Sequence, residues 1–375
     1  MRIGLNLLYM IPRHVGGTET YARGLLAGLR QIGTNHEFVL FLNGESADWK
    51  PAADSGFTSV VCPVNAVSRG KRFVYEHLSL RREIRKQRID LLHSLGYTSP
   101  LFMPCPTIVS VHDLNFLAFG SLMAFARRTM LRLAVKEAVL RSNRVITISE
   151  FSRREILKAY KVPPEKVVVT YLAADTKSPE PSAGLDSGSR IGMEWMRQPY
   201  MIAFSATYPN KNIPRLLEAY GLAKKRHAIP QRLVLIGHPF PMAAENQSEL
   251  VKQRDVIWTG YLEERTMSEV VRKAEFMVFP SYYEGFGLPV LEGMAVGLPV
   301  VCSRAASLPE VAGDAAVYFD PFSIDDMAEK IVAVANDPSL RNELRRKGTE
   351  NLKRFSWEKV ARETVAIYDE QLLKN

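Results

Sequence analysis

Cysteine is scarce in this chain: Cys62, Cys105 and Cys302 are the only three in 375 residues. They are odd in number, far apart and without Cys-x-x-Cys spacing. That excludes a disulfide framework and a cysteine zinc site, and points to a reducing compartment, the cytoplasm by default. No run of eighteen apolar residues occurs, so no membrane-spanning helix is expected. The opening MRIGLNLLYMIPRHVGG lacks the charged start and small-residue cleavage site of a signal peptide, and reads as a first buried strand. No G-x-G-x-x-G follows RIGLNL, which disfavours a nicotinamide dehydrogenase. Internal repeats and low-complexity tracts are also absent.

What is present is ordinary globular material, 46% hydrophobic and 24% charged, in a length that favours two domains over one. The net charge of +9 is uneven. Residues 1–200 hold 27 Lys and Arg against 17 Asp and Glu, whereas the remainder holds 22 against 23. A basic first half attracts nucleic acid, anionic lipid or a phosphorylated substrate, and charge alone does not choose among them.

Apolar runs alternate with amphipathic ones. Strands are expected at 2–7, 37–42, 58–62, 90–94, 107–111, 144–149 and 167–171, with helices at 17–31, 74–88, 121–141 and 150–160. The stretch 176–199, rich in Ser, Pro and Gly, reads as a linker or exposed loop. Alternation resumes with strands at 200–206, 232–237, 256–260, 276–280 and 299–303, and helices at 213–226, 265–274, 289–296, 323–335, 339–352 and 357–373. Strands alternating with helices predict an α/β chain of two Rossmann-like, doubly wound parallel sheets. Such sheets bind ligands beyond the carboxyl ends of their strands, so residues just after strands are the candidates.

The segment PSYYEGFGLPVLEGMAVGLPVV (280–301) stands out on that criterion. A strand delivers the chain to a loop carrying Glu284, Gly285, Phe286 and Gly287, and Pro289 suits the first turn of a helix, where a missing N–H costs nothing. Glu292 follows eight positions after Glu284, so both carboxylates can edge one crevice. Carboxylates accept hydrogen bonds from vicinal hydroxyls, as in a ribose diol or a hexose ring. N–H groups of a glycine loop and a helix start suit a diphosphate. The bland alternative is a turn with two solvated acids, which the strand–glycine loop–proline–helix context disfavours.

EGFGLPVLE resembles the Glu-x7-Glu signature of retaining glycosyltransferases of family four, and the likeness extends over nearly the whole chain in order. GGTETYARGLL (16–26), VHDLNF (111–116), VITISEFSRREIL (145–157), SATYPNKNIPRLLEAY (205–220) and FSWEKVARETVAIY (355–368) are similar to further elements of that family. The resemblance implies a GT-B fold: an acceptor-side domain over 1–175, a linker over 176–199, a nucleotide-sugar domain over 200–355, a cleft between the domains, and a helix over 356–375 returning to the first. It implies that Glu292 binds ribose hydroxyls and Glu284 the hydroxyls of the transferred sugar. The N–H groups of Gly285, Phe286, Gly287 and Leu288 would lie near sugar and phosphates, and Lys211 would neutralise the diphosphate. His112 would sit at the reacting centre, with Gly16 and Gly17 close to the donor phosphates. Ser205 stands where many members carry an Arg, so half of that cationic grip is missing or supplied elsewhere, by Lys166 or Arg153.

The activity so implied moves a hexose, mannose first, from a nucleotide diphosphate-sugar to a glycan or lipid-linked saccharide, with retention, in cell-surface polysaccharide synthesis. The donor is a substrate and no cofactor is expected. Because Asp-x-Asp does not occur, no bridging metal is indicated. Nucleic acid is not expected as a partner, since the Arg-rich runs lack interleaved aromatics. The run ARRTMLRLAVKEAVLRSNR (126–144) mixes basic and apolar residues at helical spacing and points to peripheral contact with an anionic membrane on its inner face, although such runs, like RREIRKQR (81–88), are usually solvated helix faces. The alternatives are a glycosyltransferase-like protein that binds nucleotide-sugar without activity, which Ser205 favours, and a GT-B sugar-nucleotide epimerase. Residue by residue, His112 could be a packed core histidine, Asp113 a loop brace, Lys211 a solvated lysine, and Gly16 and Gly17 only a tight turn.

Overall fold

The computed structural model describes residues 1–12, 16–49, 56–120, 124–174, 193–205, 208–237 and 255–374, with the side chains of 126 and 127 left aside. Most of the expected linker, 176–192, lies outside the described residues. The chain divides into two compact units, Met1–Ala173 with Phe355–Asn375, and Ala174–Arg354.

The first unit is built on seven strands: β1 (Arg2–Asn6), β2 (Glu37–Leu42), β3 (Phe57–Val61), β4 (Leu91–Ser94), β5 (Thr107–Ser110), β6 (Arg144–Thr147) and β7 (Val167–Val169). All pairings are parallel, in the order β3-β2-β1-β4-β5-β6-β7. The central strands are nearly continuous apolar runs, as burial on both faces demands: Ile3, Leu5, Val39, Leu91, Leu92, Ile108 and Val109 are all fully buried. Strand order reverses between β1 and β4, so the segments after them leave in opposite directions.

The helix expected over 74–88 is broken. It runs as Arg69–Val74, a π turn Tyr75–Ser79 and Leu80–Lys86. The wider turn swings Glu76 inward, where its Oε1 accepts 2.6 Å from Asn6 Nδ2 at the end of β1. Leu80–Lys86 itself leaves Arg81, Arg82, Arg85 and Lys86 exposed, a solvated face. The helix Trp357–Leu373 belongs to this unit and packs on Gly17–Ile32. Gly24 and Gly28 make its notch: a Cβ on Gly24 would lie 2.1 Å from the Trp357 ring, and one on Gly28 2.1 Å from the Trp357 carbonyl oxygen. Only glycine permits that approach.

The second unit carries β8 (Tyr200–Phe204), β9 (Arg232–Ile236), β10 (Val256–Trp258), β11 (Phe276–Phe279), β12 (Val300–Ser303) and β13 (Ala316–Phe319), all parallel in the order β10-β9-β8-β11-β12-β13. β13 was not expected. At four residues, AVYF, it is too short to show a period, and pairing with β12 is what makes it a strand. Helices Ile213–His227 and Ile324–Asn336 bury Leu216, Tyr220, Met327 and Ile331 against Met201, Leu233 and Phe276 of the sheet. The strand order reverses between β8 and β11, the kind of position at which doubly wound sheets bind ligands.

Candidate active site

The chain leaving β8 passes Ser205 and forms a short 3-10 turn, Pro209–Lys211, before the helix Ile213–His227. The chain leaving β11 forms the loop that ends at Gly287. The two segments are stitched together across the switch point. Asn210 Nδ2 donates to the Tyr283 carbonyl at 2.9 Å, and the Tyr282 N–H donates to the Asn210 carbonyl at 3.0 Å. Asn212, in the left-handed conformation at φ 57°, donates to the carbonyls of Pro280 and Pro321 at 3.2 and 2.8 Å. Asn tolerates that conformation better than other non-glycine residues, so the Pro and Asn residues around Lys211 are what fix its direction.

Lys211 is thereby aimed at the glycine loop. Its Nζ donates to Glu284 Oε1 at 2.8 Å and lies 5.3 Å from the centre of the Phe279 ring. The two side chains are 20% and 15% exposed. Screening by water is therefore weaker than for a surface pair, yet one edge stays accessible. The Glu284 carbonyl accepts from Ser307 Oγ at 2.9 Å, and Ser303 Oγ donates to the Ser281 carbonyl, so the loop is tied at two points to the end of β12 and the segment after it.

Gly285, Phe286 and Gly287 are buried, and Gly287 takes φ 93°. A Cβ there would come 2.5 Å from Leu308 Cδ2, so conformation and space both require glycine. Gly287 opens the helix Leu288–Ala295 with Pro289 in its first turn, which turns the helix start toward the loop. Glu292 sits on that helix with its side chain exposed. Protein packed around this open carboxyl pushes its pKa up.

The second unit therefore brings Lys211 and Glu284 into contact, with Gly285, Phe286, Gly287 and Leu288 continuous from Glu284 and Glu292 on the following helix. Ser205 directly follows β8, its N–H on the Ile236 carbonyl at 2.8 Å. Sequence reasoning missed the roles of Asn210, Asn212, Ser303 and Ser307. The flanking Pro209 and Asn212 were the available signal for the first pair, and nothing local marks the two serines.

His112, Gly16 and Gly17 lie in the first unit. Gly16 has φ 58° and precedes the helix Gly17–Ile32; a Cβ on either glycine would meet nothing within 4 Å among the described residues. His112 follows β5 and is buried. Burial pushes its pKa down to about 3, so the imidazole is neutral. Its ring is flanked by Tyr21, edge-on at 4.7 Å, and Tyr97 at 5.6 Å, while its Nε2 has no hydrogen-bond partner among the described residues. Asp113 braces its loop, its Oδ1 accepting from the Asn115 N–H at 2.9 Å. The cations offered as substitutes for the missing Arg are committed locally. Lys166 Nζ donates to the Leu140 carbonyl at 2.6 Å, and Arg153 bonds the Val167 and Pro164 carbonyls and Glu150. Among the described residues no group of three or more His, Cys, Asp or Glu is placed to hold a metal ion.

Two sequence profiles match the chain: Glycosyltransferase Family 4 over residues 15–178 and Glycosyl transferases group 1 over residues 194–351. O-antigen chain mannosyltransferase B of Escherichia coli is 30% identical over 266 residues, 70% of this chain and 69% of that protein. The MMP alpha-(1->4)-mannosyltransferase of Mycolicibacterium hassiacum is 31% identical over 237 residues, 61% of this chain and 54% of that protein. Among solved structures, sucrose-phosphate synthase of Thermosynechococcus elongatus superposes with a TM-score of 0.74 at 19% identity, covering 100% of both chains. WaaG, a glycosyltransferase involved in lipopolysaccharide biosynthesis, gives 0.69 at 16% identity over 97% of this chain and 99% of that one. Two Rossmann-like units with these neighbours define a GT-B fold. Within that class, the chain belongs to the group 1, family 4 glycosyltransferases, and it is a transferase enzyme.

Proposed function

We propose that this enzyme transfers mannose from GDP-mannose to a glycan or lipid-linked saccharide in cell-surface polysaccharide synthesis, with retention at the anomeric carbon. The observation that carries this reading is the Lys211–Glu284 pair at the β8–β11 switch point, beside a glycine-led helix start. Breaking the anomeric C–O bond places negative charge on the departing diphosphate. Lys211 and the N–H groups at the helix start are fixed donors for that charge, the strongest kind of catalytic device. Glu284 then holds sugar hydroxyls and Glu292 the ribose diol, while the departing phosphate takes the acceptor proton.

The mannose assignment is supported by the mannosyltransferase relatives, and the O-antigen role of one of them supports a polysaccharide product. A nucleoside diphosphate donor is consistent with the HepE structure from Anabaena, described in complex with UDP and glucose. His112, neutral and with an Nε2 that has no partner among the described residues, is assigned to the reacting centre, where it can accept from or donate to a hydroxyl without carrying charge. A lipid-linked acceptor is supported by the helix Phe125–Arg141, where Phe125, Met130, Leu133 and Leu140 are exposed alongside Arg132, Lys136 and Arg141. That mixture suits an interface of apolar chains and anionic headgroups.

Thermal-shift measurement against GDP, UDP, ADP and dTDP and their sugars tests the donor. A ligand at about 100 times its Kd stabilises by about 2.7 kcal/mol, so GDP and GDP-mannose are expected to give the largest rise in melting temperature. A flat response to every nucleotide rejects the reading. Ser205 favours a second reading, a nucleotide-sugar-binding protein without transfer, and stabilisation by GDP-mannose with no GDP released over any acceptor would select it.

A further inference from the structure

Behind His112 lies a line of buried polar groups that the proposed reaction leaves unused. Tyr368, on the helix Trp357–Leu373, places its hydroxyl 2.7 Å from His93 Nδ1. His93, on β4, places Nε2 2.8 Å from Ser110 Oγ at the end of β5. Ser110 Oγ is 2.9 Å from the Tyr21 hydroxyl, and the Tyr21 ring meets His112 edge-on at an interplanar angle of 83°. All four members, Tyr368, His93, Ser110 and Tyr21, are fully buried.

The chemistry of the chain is self-consistent. Burial pushes the His93 pKa down to about 3, so its ring is neutral and offers one N–H donor and one bare nitrogen. Each hydroxyl can donate and accept. Every bond in the series can therefore be made without a missing proton or a buried charge, the condition under which such a network stiffens a core. His112 differs from His93 in kind. Both nitrogens of His93 are held by hydroxyls, whereas Nε2 of His112 is buried with no hydrogen-bond partner among the described residues, and its ring is flanked by two tyrosines. The direction of that unpartnered nitrogen thus depends on how its aromatic neighbours are held.

We propose that Tyr21 is a positioning residue for His112: the bonds through Ser110 and His93 to Tyr368 fix the tilt of the Tyr21 ring, and the Tyr21 ring fixes the imidazole. The inference rests on the assignment of His112 to the reacting centre. It makes the helix Trp357–Leu373 a working part of the first unit's site through Tyr368, beyond its packing on Gly24 and Gly28. The removal of one hydroxyl, on either tyrosine, frees the ring without opening a cavity of more than one oxygen.

The full chain is labelled with 13C,15N-histidine, and the His112 ring signals are assigned by their loss in His112→Gln. In Tyr21→Phe and Tyr368→Phe those signals are expected to shift or broaden. With GDP-mannose as donor and mannobiose as acceptor, Tyr21→Phe is expected to lower kcat about 3- to 10-fold with the donor KM held within about twofold. In the His112→Ala background the same change is expected to have no further effect, because a double-mutant cycle isolates action through a partner. Ring signals of His112 that overlay the wild type in both phenylalanine variants overturn the proposal, as does an equal loss of kcat with and without His112. Absence of any transfer by the wild type counts against the mannosyltransferase reading alone, and the ring signals still decide the role of Tyr21.

Discussion

Replacing Lys211 by Met removes the cation from the donor loop while keeping most of its aliphatic bulk over Phe279. In the structure this ammonium donates to Glu284 at 2.8 Å and is only 20% exposed, so its interaction with an anion is partly sheltered from water. A charged hydrogen bond contributes about 1.5–3 kcal/mol net, which is roughly a 10- to 150-fold change in an equilibrium constant. Lys211→Met is therefore expected to weaken GDP by about that factor and leave guanosine unaffected, both read by titration calorimetry. The bare Glu284 carboxylate would then stand near the diphosphate, adding repulsion to the lost attraction. The pair Lys211→Met/Glu284→Gln should consequently recover part of the GDP affinity lost by the single variant. GDP binding to Lys211→Met within twofold of the wild type would refute the assignment of this lysine to the leaving group.

Four other outcomes follow from particular residues. Gly287→Ala forces an L side chain to φ 93° and a Cβ to 2.5 Å from Leu308; overpacking of this kind costs about 1–3 kcal/mol, and calorimetry should show a lower melting temperature. His93 and His112 are neutral when folded, with pKa values pushed down to about 3, but near 6.5 when unfolded. The unfolded chain then binds more protons below pH 6.5, so stability is full above that value and falls as pH drops toward 3, by about 2 kcal/mol per histidine at pH 5. A melting temperature that does not fall between pH 7 and 5, or falls equally in His93→Gln, would contradict this. From the exposed basic and apolar residues of Phe125–Arg141, binding to phosphatidylglycerol vesicles is expected at low salt and not at high salt, and failure to cosediment at low salt removes the membrane role. Transfer is expected to persist in EDTA, and loss restored by Mn²⁺ would show that a metal takes part.

The alternation of buried strands and helices was legible in the sequence because parallel strands are apolar on both faces and leave continuous runs, as EFVLFL does in β2. The direction of Lys211 was not legible. It depends on Asn210 and Asn212 reaching carbonyls some seventy or more positions away, and a single sequence records no such pairing. The π turn at Tyr75–Ser79 escaped for a similar reason. Its cause is the bond between Glu76 and Asn6 on a strand seventy residues earlier, while the local pattern reads as an ordinary helix. Glu284, Gly287 and Pro289 were visible because each carries its reason locally: a carboxylate on a loop, a glycine whose loop offers N–H groups, and a ring suited to a helix start. The expectation that Lys166 or Arg153 replaces the missing Arg used charge alone, and the structure spends both on nearby carbonyls.

The first unit is discontinuous in sequence, and this bears on how the protein is made. Residues up to Ala173 leave the ribosome with a groove at Gly24 and Gly28 that has no indole to fill it, and with His93 lacking the Tyr368 hydroxyl. Translation at 5–20 residues per second keeps that state exposed for about 10–40 s while Ala174–Arg354 is synthesised. Throughout that interval the first unit cannot fold to completion, because its closing helix has not been made. A chain truncated after Arg354 and released should therefore offer proteases the first unit and withhold the second.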